Sequence, residues 1–378
     1  MHAILAAFLV LLAAADGRSA DMNLRGGISA DLHRTFLPPG PGNPRNSEGD
    51  FIRLHSGRVL FVYTHFTGKG GDHGRAYLAA RYSDDAGVTW SDKDRVVVEN
   101  EGAFNVMSVS LLRLRDGSIA LFYLRKNSLT DCRPLMRVST DEARTWSVAR
   151  EVITDEAGYY VMNNDRVVQL KSGRLVCPVA LHNTPSSAKP DWDGRLMCYL
   201  SDDGGRNWRR SKSELTGKRS DGRRVTLQEP GVVELQDGRL LMWARTGEGT
   251  QYQTWSADGG ERWSSPQPGN IVSPKSPATI ERIPETGDLL LAWNDHTNIT
   301  PELKGKRTPF AVAISRDDGA TWESRRVLED DPNGWYCYTA MAFADGRVLL
   351  GYCAGDRRKG GLNTTQITSF PVSWLYGR

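Results

Sequence analysis

One eight-residue pattern recurs five times and limits this chain more than any other feature. It has Ser first, Asp third, a small residue fifth and Trp eighth. It reads S-D-D-A-G-V-T-W at Ser83 to Trp90, S-T-D-E-A-R-T-W at Ser139 to Trp146, and S-D-D-G-G-R-N-W at Ser201 to Trp208. It returns as S-A-D-G-G-E-R-W at Ser256 to Trp263 and S-R-D-D-G-A-T-W at Ser315 to Trp322. Successive Trp residues lie 56, 62, 55 and 59 residues apart, a period that belongs to repeat architectures built from one supersecondary unit. The third-place Asp can accept hydrogen bonds from a turn backbone, and Trp can anchor the turn against apolar neighbours. The fifth residue is Gly except at Ala143.

A second pattern alternates with the first: an apolar stretch, a short turn containing Gly, and another apolar stretch. It is centred on Gly57, Gly117, Gly173, Gly238, Gly287 and Gly346. Each copy has the composition and turn chemistry of a β-hairpin. Interleaving the two patterns predicts a four-stranded unit: the hairpin, a third strand ending at the Ser of the Trp turn, and a fourth after the Trp. Six such units account for the chain as an all-β, six-bladed β-propeller with five of these turns. The sixth unit lacks the Trp turn, and the segment from Asn23 to Phe36 is expected to supply its missing strand and close the ring. One domain over residues 21–378 is predicted.

Charge and cysteine usage exclude several classes. With 48 Lys+Arg against 45 Asp+Glu, the net charge of +3 leaves no nucleic-acid footprint. The long apolar run, Ile4 to Ala15, is too short for the roughly 20 residues of a membrane span. It reads as the core of a signal peptide over residues 1–20, cleaved after Ala15 or Ala20, and predicts a secreted or periplasmic protein. The five cysteines have neither C-x-x-C nor zinc-like spacing. Cys177 and Cys198 fall in neighbouring strand-like segments and would be able to pair in an exported protein, whereas buried free thiols are the simpler expectation. No metal or cofactor is expected.

In such a unit the starts of the first strands and the ends of the second gather at one end, around a central channel. Polar residues that packing does not require are found at these positions. Before first strands stand Arg45, Asn46 and Glu48; Asn105; Asn163, Asn164, Asp165 and Arg166; Gln228 and Glu229; and Trp335, Tyr336 and Tyr338. After second strands come His65, Asp72 and His73; Arg125 and Lys126; His182 and Asn183; Arg245; and Asn294, Asp295 and His296, with Arg307 opening a third strand. Arginines here would bind an anionic group, because the guanidinium fork matches a carboxylate.

The five Trp turns resemble the Asp-box repeats of the sialidase superfamily. Q-E-P-G-V-V-E-L-Q-D-G-R-L-L-M-W-A-R, Gln228 to Arg245, is similar to the sialidase segment in which a Glu precedes a hairpin ending in a binding arginine. The resemblance implies Glu229 as the base that activates a nucleophile, with Arg245 and Arg307 as two arms of a carboxylate-binding arginine triad. It implies Tyr338 as the nucleophile, with Tyr336 as the fallback, and Asp72 as the acid/base. Sialic acid carries a carboxylate on its anomeric carbon, which would repel a carboxylate nucleophile; a tyrosine avoids this. The implied partner is a glycan or glycoconjugate substrate.

The family's first triad arginine opens blade one in an R-I-P-like motif. This chain has N-S-E-G-D-F-I-R-L, Asn46 to Leu54, with Glu48 near that place and Arg45 reaching in from before it. A carboxylate there would repel an anionic sugar unless it is paired with an arginine. Three readings therefore stand: a sialidase-like hydrolase, a hydrolase or lyase acting on a different sugar, and a non-catalytic carbohydrate-binding propeller.

Overall fold

The computed structural model describes residues 31–377; the predicted signal peptide lies outside them. Among these residues the regular structure is all strand, apart from two 3-10 turns and one helical turn, Val372–Leu375. Four four-stranded antiparallel sheets, one nine-stranded sheet and a two-stranded ribbon carry it. The first sheet runs in chain order through Arg45–Arg53, Val59–Phe66, Ala76–Ser83 and Arg95–Val98. The nine-stranded sheet contains two such antiparallel runs, one beginning at Asn105–Arg113 and one built on Leu175–Asn183. They are joined by Tyr159–Val161, which pairs antiparallel with the second run and touches the first in parallel through Tyr159 and Cys132. Sheets starting at Gln228–Glu234 and Thr279–Arg282 follow. In the last sheet, His33–Leu37 lies antiparallel to Thr365–Pro371, so the two ends of the described chain share one sheet.

The hairpin glycines sit where the turn needs a left-handed backbone, as at Gly57 (φ 88°) and Gly173 (φ 97°). The Trp turns are tied by one repeated set of hydrogen bonds. In the first, Gly87 N donates to Ser83 Oγ at 2.8 Å, and Thr89 N donates to Asp85 Oδ1 at 2.9 Å. In the last, Gly319 N donates to Ser315 Oγ at 2.7 Å, and Thr321 N donates to Asp317 Oδ1 at 2.8 Å. Trp90, Trp208 and Trp263 donate their indole N–H to the carbonyl of the fifth residue in their own turns.

Buried apolar side chains gather into six clusters, each drawing mainly on two consecutive groups of strands. The sixth packs Phe51, Phe61 and Tyr63 of the first sheet against Ala340, Leu349 and Ile367 of the last. Each group is therefore apolar on both faces. The polar residues are left to the edges and to the axis around which the groups converge.

The cysteines are free and buried. Cys177 stands opposite Tyr199 and Cys198 opposite Pro178. The two thiols thus leave opposite faces of the sheet and enter different cores, so the pairing considered from sequence does not arise.

Candidate active site

Four strands nearest the axis slip register at the same relative position. The slips fall between Ser47 and Asp50, Met107 and Ser110, Gln228 and Gly231, and Cys337 and Ala340. Inside each slip one residue is left-handed: Glu48 (φ 54°), Ser108 (φ 60°), Glu229 (φ 52°) and Tyr338 (φ 57°), while Asp165 (φ 56°) does the same ahead of Val168–Gln169. Each such conformation costs an L-residue about 1–2 kcal/mol. As in a β-bulge, it re-aims one side chain out of the strand's alternation. Four of them, Glu48, Ser108, Glu229 and Tyr338, line one cavity.

Glu229, almost fully buried, faces Tyr338 across the axis. Tyr338 Oη donates to Glu229 Oε1 at 3.4 Å, and Arg245 Nη1 lies 2.9 Å from Glu229 Oε2. The Arg307 guanidinium sits between two rings, 5.0 Å from the centre of Trp335 and 5.3 Å from that of Tyr338. Arg307 has no carboxylate partner among the described residues, and its buried Nη1 has no hydrogen-bond partner among them either. Donors on Arg245 and Arg307 thus flank the phenol. Burial pushes the Tyr338 hydroxyl above the usual phenol range, and the Glu229 charge adds to this, while Arg307 and Arg245 pull the other way.

Asp72 stands on the rim with 59% of its side chain exposed, its Oδ1 2.6 Å from Arg45 Nη1. The second terminal nitrogen of Arg45 lies 2.7 Å from Glu48 Oε1. One buried guanidinium therefore holds both carboxylates on one wall. Partial desolvation works upward on Asp72, but the charge and hydrogen bond of Arg45 outweigh it and hold the carboxyl below its ordinary range. Glu48 is pushed above its ordinary range by burial, with Arg45 pulling it down and Asp72 adding to the rise; Ser108 Oγ also donates to it. Asn105 secures the Asp72 loop by donating to the carbonyls of Asp72 at 3.0 Å and Gly74 at 2.7 Å.

These groups open onto a cavity of about 250 Å³ lined by Glu48, Asp72, Ser108, Lys126, His182, Glu229, Arg245 and Tyr338, with Met107, Leu124, Tyr159 and Val161 as apolar wall. His182 Nδ1 is 3.0 Å from the carbonyl of Asp191, and burial lowers its pKa. Lys126, which the sequence placed at this end without a binding role, and Trp192, which it did not point to, both belong to the lining. Lys126 is buried, donates to the carbonyl of Asp72 at 3.0 Å and lies over the Tyr159 ring. Trp192 is exposed at the mouth beside His182. It follows a helix-free loop whose only sequence signal is the D-W-D-G run at Asp191 to Gly194.

Several expected site residues lie elsewhere. Arg125 points away from the cavity and bonds Glu151, because it neighbours Lys126 on one strand and leaves the other face. Tyr336 is buried against Phe310 and Tyr352. Arg45 is saturated by Glu48, Asp72 and Ser47, so it offers no free arm to an anion. Asn164, Asp165 and Arg166 lie beneath the cavity and clasp backbone across the axis. Asn164 donates to Gly49 O and Tyr338 O, Asp165 accepts from Met341 N, and Arg166 donates to Ala278 O.

A phenol beside a buried carboxylate, two arginines beside the phenol and a carboxyl on the rim can perform nucleophilic displacement at a carbon bearing an anionic group. A model described as a BNR repeat-like domain matches residues 94–350. The chain is 26% identical over 224 residues to a sialidase of Bacteroides fragilis, covering 56% of this chain and 37% of that one. It is 27% identical over 262 residues to an anhydrosialidase of Macrobdella decora, covering 63% and 32%. The chain thus spans about a third of the length of these curated relatives. Among solved structures, a protein of unknown function from Dyadobacter fermentans superposes with a TM-score of 0.70 at 19% identity, covering 90% of this chain and 98% of that one. Trypanosoma rangeli sialidase in complex with the inhibitor DANA gives 0.68 at 13%, covering 88% and 56%. A leech intramolecular trans-sialidase gives 0.67 at 16%, covering 91% and 70%. At these identities the structural likeness speaks for the fold, whereas the repeat model spans most of the chain, which therefore belongs to the BNR repeat-like family of the sialidase superfamily.

Proposed function

We propose that the protein is an exported, six-bladed propeller hydrolase that releases a terminal sialic acid or a related acidic sugar from glycans with retention of configuration. The observation that carries this is the Tyr338–Glu229 contact, with Arg245 on the far carboxylate oxygen and Arg307 against the phenol ring. A module that only binds sugar has no use for a base beside a buried phenol. The six core clusters between successive strand groups favour six blades.

In the first step Tyr338 Oη bonds to the anomeric carbon as its proton passes to Glu229, and the departing glycosidic oxygen takes a proton from Asp72. In the second, Asp72 removes a proton from water, whose oxygen displaces the tyrosine, and Glu229 returns the proton to the phenolate. Arg245 and Arg307 hold the substrate carboxylate throughout. Arg45 favours the ionised form of Asp72, so the acid step gains as pH falls.

Glu48 supports a second reading, a sugar with a hydroxyl or amide donor where sialidases bind carboxylate with a third arginine. A carboxylate pair acting from opposite sides is less favoured, because Glu48 and Asp72 share one guanidinium on one wall. The test is release of a fluorescent leaving group from an α-sialoside by the purified protein, beside Tyr338→Phe and a panel of other glycosides. Turnover of the sialoside that vanishes in the variant is the expected result. Turnover of another glycoside alone transfers the assignment to the second reading, and no turnover of any of them overturns both.

A further inference from the structure

Cys337 and Cys353 stand directly opposite each other on the antiparallel strands Gly334–Ala344 and Arg347–Asp356. Opposed residues in such a pair have Cα atoms about 4.5–5.5 Å apart, inside the roughly 4.4–6.8 Å that a disulfide spans. Their side chains leave the same face of the sheet. No other pair among the five cysteines shares this placement: Cys177 and Cys198 leave opposite faces, and Cys132 stands opposite Lys126.

The pair also borders the candidate site. Cys337 directly precedes Tyr338 and its sulfur faces the Arg307 guanidinium, while Cys353 faces Arg45. Burial works upward on the Cys337 thiol, but Cys353 and Arg307 outweigh it, so this thiol lies below the ordinary range and is the better placed of the two to attack.

We propose that Cys337 and Cys353 form a dithiol–disulfide couple beneath the cavity, closed by exchange with a small disulfide such as oxidised glutathione. The Cys337 thiolate attacks that disulfide and releases one glutathione thiol. The Cys353 thiolate then attacks the Cys337 sulfur of the mixed disulfide and expels the second. The protein loses two electrons and two protons, and the oxidised glutathione becomes two thiols. Closure ties the two strands just before the register slip that aims Tyr338, and it removes the thiol facing Arg307. Both sulfurs are buried, 1% and 0% exposed. Exchange therefore runs through opening of this sheet, and the closed bridge is shielded from reductant.

The test uses the full chain, purified reduced and incubated with oxidised glutathione in native buffer and in sub-denaturing urea. It is then alkylated under denaturing conditions and digested. A peptide pair joining Cys337 to Cys353 is expected, lost on treatment with dithiothreitol, with Cys132, Cys177 and Cys198 alkylated. Cys177→Ser should keep this linkage and Cys353→Ser should abolish it. Alkylation of all five cysteines in both buffers, or a bridge between other cysteines, overturns the proposal. No substrate is involved, so failure of the proposed hydrolysis leaves this outcome standing. If hydrolysis is seen, the closed form should show a KM changed by several-fold through Arg307.

Discussion

The two ends of these sheets follow opposite plans. At the Trp-turn end the same side chains repeat the same bonds: Ser83, Ser139, Ser201, Ser256 and Ser315 each accept from the N–H four residues on. At the cavity end the backbone repeats and the side chains do not, since the left-handed positions carry Glu48, Ser108, Asp165, Glu229 and Tyr338. The turn is a local code, closed within eight residues. The cavity relies on partners far apart in the chain, as Tyr338 and Glu229 are, so each position can diverge without disturbing its counterparts. Stability should follow the repeated end and chemistry the varied one.

Tyr338→Phe is the sharpest test of that division. It removes one oxygen and one 3.4 Å contact, and turnover should fall by about 10³-fold or more at an unchanged melting temperature. The converse change is Trp263→Ala, which empties a buried site at a turn. It should cost about 3–5 kcal/mol in denaturant melts, with kcat per folded molecule kept. A melting loss in the first variant, or a kcat loss in the second, would break the comparison. Asp72→Asn should lower turnover of a sugar leaving group by about 10²-fold and an activated aryl leaving group by less. Wild-type rates on the sugar leaving group should rise as pH falls, because Arg45 holds Asp72 low, and this rise should be absent in the variant.

The same contrast explains what could be read from the residues alone. Turn and hairpin spacing foretold the strand groups, because hairpins depend on neighbours in sequence, and the incomplete last repeat pointed to the N-terminal segment as the strand that pairs with Thr365–Pro371. Parity within strands was harder. Arg125 and Lys126 are adjacent and must leave opposite faces, and only tertiary packing shows that Lys126 enters the cavity. Tyr336 and Tyr338 would share a face in an unbroken strand; the slip between Cys337 and Ala340 separates them, one into the core and one into the site. Asn164, Asp165 and Arg166 were polar at the expected end, yet their bonds serve the backbone below the cavity.

Asp165 offers a milder probe of the axis. Burial lifts its carboxyl to about 6 from 3.8, against the pull of Arg166. Between these values the folded state keeps a proton that the unfolded chain has lost, so this group's contribution declines as pH rises from about 4 to 6. An amide in its place cannot titrate and retains an oxygen for the Met341 N–H. Asp165→Asn should therefore flatten that stretch of the stability–pH curve by roughly 1–3 kcal/mol without lowering stability at pH 7. A variant that is less stable at pH 7 would mean that the charge itself, paired with Arg166, holds the axis.

The smallest effect belongs to the one turn that departs from the code. Ala143 occupies the fifth position with φ 61°, where the other four turns have Gly, and its N–H still donates to Ser139 Oγ at 2.9 Å. Glycine would relieve about 1–2 kcal/mol of left-handed strain. It would also forfeit a buried methyl worth about 0.8 kcal/mol and add roughly 0.5–1 kcal/mol of unfolded-chain entropy. These terms nearly cancel, so Ala143→Gly should move stability by less than about 1 kcal/mol and leave turnover alone. Near-neutrality there, set beside the loss expected for Trp263→Ala, would show that the turn is held by its Ser, Asp and Trp contacts and tolerates its fifth residue. A large loss would instead make the Ala143 methyl, packed between the first and second strand groups, part of what the turn end contributes to the core.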